Sequence, residues 1–156
     1  MAGRIVIIPA ALALNIAGAS AQTAPHARPP EPFAHVTDAE LAARVAGGPL
    51  VLSVLSDHET YYVQAAGRNA PGEPEVHAHW IDYMVIQHGE AQFTYGGTLS
   101  GAHETAKGEL RGGTITGGTT VTLRAGDYLM VPAGQPHLTM IKPGAPFRAF
   151  VFKARY

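Results

Sequence analysis

From Pro49 onward the apolar residues fall in runs of strand length bounded by turn formers, which predicts strands near 50–56, 59–66, 74–79, 82–88, 90–95, 119–124, 127–131, 136–142 and 146–153. The turns between them carry Asn69-Ala70-Pro71-Gly72, His88-Gly89, Ala125-Gly126-Asp127 and Pro143-Gly144. Many short strands at this spacing describe an all-β sandwich or barrel. Ahead of them, Thr37-Asp38-Ala39-Glu40 has the spacing of a capping box, Gly47-Gly48 supplies a stop, and Leu41 and Val45 give one apolar stripe. A single short helix over 38–46 follows, expected to plug or flank a sheet. Tyr95 to Gly118 breaks the pattern: Gly96-Gly97, Gly101, Gly108, Gly112-Gly113 and Gly117-Gly118 predict a long loop, with Thr114-Ile115-Thr116 as a fragment of strand.

The first residues follow another pattern. Arg4 precedes an apolar run from Ile5 to Ala17, which leads to Ala19-Ser20-Ala21. This is the layout of a secretory signal peptide, and the run is shorter than the ~20 residues of a spanning helix. The expectation is cleavage after Ala21, a secreted or periplasmic protein, and no stable membrane association afterwards. Residues 22–36, with Pro25, Pro29, Pro30 and Pro32, read as an extended lead-in, and 37–156 as one domain.

Composition narrows the partners. A formal net charge of -1 with 15% charged residues leaves no basic stripe for nucleic acid. The absence of cysteine excludes disulfides, thiolate metal sites and a lipoprotein anchor.

The candidate chemistry lies in Glu75-Val76-His77-Ala78-His79. Alternate residues of a strand share a face, so Glu75, His77 and His79 point one way. Trp80 and Ile81 allow a tight turn, after which Asp82, Met84 and Ile86 form one face of a returning strand and bring a carboxylate back opposite the histidines. Imidazole and carboxylate together suit one divalent transition ion, Fe, Mn, Ni, Cu or Zn, whereas Ca and Mg prefer all-oxygen shells.

A second stretch, Gly126-Asp127-Tyr128-Leu129-Met130-Val131-Pro132-Ala133-Gly134-Gln135-Pro136-His137, has Gly126, Pro132, Gly134 and His137 at the spacing of the second motif of the cupin superfamily. That motif usually continues to an Asn, and here the position is Ile141. The first stretch resembles the family's other motif, with Asp82 at the place of its Glu, seven residues before Gly89. Two registers remain for the pair ahead of it: His77 with His79, where the turn is one residue short, or Glu75 with His77, where the spacing fits but Glu takes a His place. The resemblance implies an antiparallel jelly-roll barrel holding a metal in its mouth through His77, His79, Asp82 and His137. Glu75 or His79, whichever is free of the metal, would then move protons. It also implies a small-molecule substrate and pairing into a homodimer through edge strands. Similar proteins include dioxygenases, isomerases, lyases and decarboxylases, so the expected function is that of a metal-dependent enzyme of unspecified reaction. The rival expectation is a non-catalytic module that binds a metal or small ligand.

Overall fold

The structure, a computed structural model, describes residues 32–156, so the expected signal peptide and most of the lead-in lie outside the described residues. The helix and all the strands belong to the unit His35–Tyr156.

Helix α1 (Asp38–Arg44) begins at the anticipated box: Thr37 accepts from the Glu40 backbone N–H at 3.3 Å, and the Glu40 carboxylate accepts from that of Thr37 at 2.7 Å. Leu41 and Val45 are buried with Ala65, and Val36, Val51 and Leu55 pack around them, so α1 flanks a sheet rather than plugging the barrel. Gly67 permits this approach, since a Cβ there would fall 2.2 Å from the Val45 carbonyl oxygen.

The strands are β1 (Leu50–Asp57), β2 (Tyr61–Arg68), β3 (Glu75–His77), β4 (Trp80–His88), β5 (Glu90–Tyr95), β6 (Thr98–Ser100), β7 (His103–Ala106), β8 (Glu109–Arg111), β9 (Thr114–Thr116), β10 (Thr119–Arg124), β11 (Tyr128–Val131), β12 (His137–Met140) and β13 (Phe147–Arg155). A five-stranded sheet runs β1-β2-β13-β4-β11 and a six-stranded one β10-β5-β12-β3-β8-β7, while β6 and β9 pair separately. Every pairing is antiparallel. Side chains from both large sheets form the core, among them Ile86, Phe93, Leu123, Val131, Phe147 and Val151. The all-β fold with one short helix is therefore as expected.

Two features differ from the sequence reading. The turn before Asp82 is made by Ala78-His79 and not by Trp80-Ile81, because β4 already begins at Trp80; the Ala78 N–H donates to Gly108 O and the Tyr156 N–H to His79 O. Asp82, Met84 and Ile86 still share a face, since the period of two is unchanged. The glycine-rich stretch is no loop. It continues the β5–β10 hairpin as one ribbon, with β6 on β9 and then β7 on β8, interrupted where Gly96-Gly97 faces Gly117-Gly118 and where Gly101 faces Gly112-Gly113. Gly97 (φ 72°) and Gly113 (φ 77°) sit at these kinks in the left-handed region, and a Cβ on Gly113 would fall 2.2 Å from Ser100 O. The kinks allow β8 to pair with β3.

Candidate metal centre

Strand β3 has three residues and neighbours on both sides. Glu75 lies opposite His137 of β12 and Arg111 of β8, and His77 lies opposite Glu109 of β8. Directly opposed residues on neighbouring strands point the same way, so this sheet alone contributes five polar side chains to one place. The facing sheet adds Asp82 of β4 and Lys153 of β13, themselves opposed.

Donor atoms of Glu75, His77 and His137 all lie within 4.8 Å of one another. His137 Nε2 is 3.3 Å from Glu75 Oε1 and 4.0 Å from Asp82 Oδ2, and His77 Nε2 is 3.7 Å from Glu75 Oε2 and 3.6 Å from Asp82 Oδ2. The other carboxylate contacts are to cations: Arg111 pairs with Glu75, and Lys153 Nζ stands 3.0 Å from Asp82 Oδ1. His137 is 1% exposed, Asp82 4%, and His77 and Lys153 5% each. Paired charges at that depth hold one another in place, since neither partner alone could recover its lost hydration.

The far sides of both imidazoles are engaged. His137 Nδ1 lies 3.1 Å from the Gln135 carbonyl oxygen, and His77 Nδ1 is bonded to the Glu109 carboxylate. Carbonyl and carboxylate oxygens accept, so each ring donates from Nδ1 and keeps its lone pair at Nε2, toward the cluster. Burial pushes the His137 imidazolium below its usual range; burial first, then the charge of Lys153, does the same to His77. Both rings are held neutral, the form that can ligate a metal. Burial also lowers Lys153, opposed by Asp82, and raises the neighbouring Tyr62 phenol to about 12, with Asp82 the next cause.

These residues fit a divalent ion of N/O preference. His137 Nε2 is a buried atom with no hydrogen-bond partner among the described residues. An ion about 2.1 Å from each donor would separate tetrahedral donors by about 3.4 Å, and the 3.3 to 4.0 Å found between the rings and the carboxylates is close to that. The imidazole–carboxylate and imidazole–carbonyl bonds at Nδ1 are the usual means of orienting a metal-binding histidine. A cavity of about 80 Å³ reaches the cluster, bordered by Glu75, His77, Asp82, Lys153, Arg111 and Met84.

Of the residues singled out from sequence, the structure brings together Glu75, His77, Asp82 and His137. His79 is not among them: it is exposed at the turn, beside Gly108, where a Cβ would lie 2.8 Å from its ring. Met84 borders the cavity, while Ile86 and Phe93 are core residues. Sequence reasoning missed Glu109, Arg111 and Lys153. Lys153 had a signal, because Phe147, Ala149, Val151 and Lys153 alternate along one strand and are all buried. Glu109 and Arg111 had none, lying in the stretch read as a loop.

No protein family and no curated protein matches the sequence. Solved structures do. The cupin domain of Schizosaccharomyces pombe Cnp3 is 15% identical, with 70% of this chain and 67% of that one covered and a TM-score of 0.52. An uncharacterized conserved Klebsiella pneumoniae protein with a double-stranded β-helix domain is 21% identical, with 78% and 90% covered and a TM-score of 0.54. A Bacillus halodurans protein is 14% identical, with 81% and 83% covered and a TM-score of 0.58. At these identities the likeness is one of fold. Two antiparallel sheets closing over a polar cluster make this chain a double-stranded β-helix. Its fold is the one these cupin and double-stranded β-helix structures share.

Proposed function

We propose that the protein is a mononuclear divalent-metal cupin that acts as an enzyme on a small organic molecule. One observation carries the reading: two neutral imidazoles, each tied at Nδ1, direct free Nε2 lone pairs toward two carboxylates at a cavity. His77, His137 and Glu75 would hold the ion, with Asp82 completing the shell from the opposite sheet. A divalent ion bound there would polarise a substrate oxygen. The chain's own part is to prepare that place. Glu109 fixes the His77 ring, Arg111 orients Glu75, and Lys153 balances Asp82. Of the two residues expected to move a proton, Glu75 is given to the ion and His79 is exposed away from the cavity, so neither is left free at the cavity for that role. The pattern of residues 1–21 supports export, and a mature protein beginning near Gln22 by mass spectrometry is the expected result.

Elemental analysis of natively purified protein tests the centre. We expect about one transition ion per chain in the wild type and less than about a tenth of that in His137→Ala. Equal content in the two proteins overturns the reading. Arg111 on Glu75 and Lys153 on Asp82 already supply positive charge to both acids, which favours, as a second reading, a module that binds small ligands without metal. Wild-type protein without metal would select it.

A further inference from the structure

The cavity is bordered by three cations, Arg68, Arg111 and Lys153, but by two carboxylates, Glu75 and Asp82. Arg111 is taken by Glu75 and Lys153 by Asp82. Arg68 is left over: among the described residues its side chain closes no ion pair and makes no hydrogen bond. Glu73 acts on it electrostatically, but acts on Arg111 as well and pairs with neither. The backbone passes close to the guanidinium: a Cβ on Gly72 would fall 3.0 Å from its Nη1.

Across the strands, Arg68 has apolar neighbours. Leu50 and Phe147 lie directly opposite it on the two neighbouring strands, so the three side chains form one row on the cavity face. Leu52 follows in the next row, and Leu50 and Leu52 remain 40% and 50% exposed at the cavity's lip. A half-buried guanidinium without a direct ion-pair or hydrogen-bond partner among the described residues has lost hydration that no such contact replaces, and a planar carboxylate matches its donors two at a time. The hydrocarbon wall beside it would cover an aliphatic chain. A volume of about 80 Å³ limits the ligand to a few heavy atoms.

We propose that this cavity binds a small aliphatic monocarboxylate, its carboxylate on Arg68 and its hydrocarbon body against Leu50, Leu52 and Phe147. The inference rests on the metal-enzyme reading for its catalytic meaning, in that it names the substrate class.

Isobutyrate and its neutral counterpart isobutyramide are the probes, titrated by NMR chemical-shift changes into the full chain, both zinc-loaded and treated with chelator. Isobutyrate is expected to bind about tenfold or more tightly than the amide. Arg68→Gln should weaken isobutyrate by a similar factor. Leu50→Glu, which sets an acid opposite an intact Arg68 at an exposed position, should do the same and serves if the first variant folds poorly. Metal content should be unchanged in both. Equal binding of acid and amide, indifference to both substitutions, or no shift with isobutyrate at tens of millimolar overturns the inference. Metal-free wild type that still needs Arg68 to bind isobutyrate keeps the inference and removes the metal-enzyme reading; metal-loaded protein in which isobutyrate ignores Arg68 does the reverse.

Discussion

Lys153 shows how much one inward residue can carry. It ends the inward row of β13 that begins with Phe147, and its ammonium stands 3.0 Å from a carboxylate that is itself buried. Replacing it by Met fills the space but leaves Asp82 charged and unpaired, a change that costs about 3–5 kcal/mol in comparable buried pairs. Chemical denaturation of chelator-treated Lys153→Met should show a loss of that order. Saturating divalent ion should recover part of it, because the ion takes over the charge of Asp82. A loss below about 1 kcal/mol would mean that water reaches Asp82 and that the pair is not structural. Among the site residues, His77, Asp82 and His137 could be found from motif spacing. Glu75 followed from alternation and from one of the two registers of the first motif. Glu109 could not be found, because its significance is its register against a residue thirty-two positions earlier, which no local pattern records.

The same limit governs the elements. Strands β5 and β10 came out with their observed bounds, since apolar runs between turn formers mark paired strands well. The ribbon beyond them did not, because glycine is the usual sign of a loop and here marks kinks within paired strands. Gly113 is the sharpest test: at φ 77° with Ser100 O in the way, Gly113→Ala is strained in both backbone and space. A loss of about 1–3 kcal/mol is expected. It should be accompanied by weaker metal retention on dialysis, since β8 brings Glu109 to His77. Loss of stability with unchanged metal retention would separate the ribbon from the site.

At the scale of the whole molecule the two buried imidazoles couple folding to acidity. Each has a folded value below the ordinary 6.5, so between those values the unfolded chain binds more protons than the native one. Their contribution is fully present above about pH 6.5 and is lost as pH falls toward the folded values, by at most about 1.4 kcal/mol per pH unit for each ring. Denaturant midpoints of chelator-treated protein should fall on acidification below pH 6.5, and substituting both rings by Gln should flatten that limb. An unchanged acid limb would show that other groups cause it.

The tip of the ribbon has one more consequence. Lys107, exposed between β7 and β8, presents trypsin with a bond whose cleavage would cut the strand carrying Glu109 and Arg111 away from its outer neighbour. Those two side chains grip His77 and Glu75 from the same short strand, so an ion seated between the latter would tether the hairpin from within. Digestion at Lys107 should slow when zinc is added and regain its pace in His137→Ala, which makes the lifetime of a single peptide bond a gauge of how firmly the centre is closed.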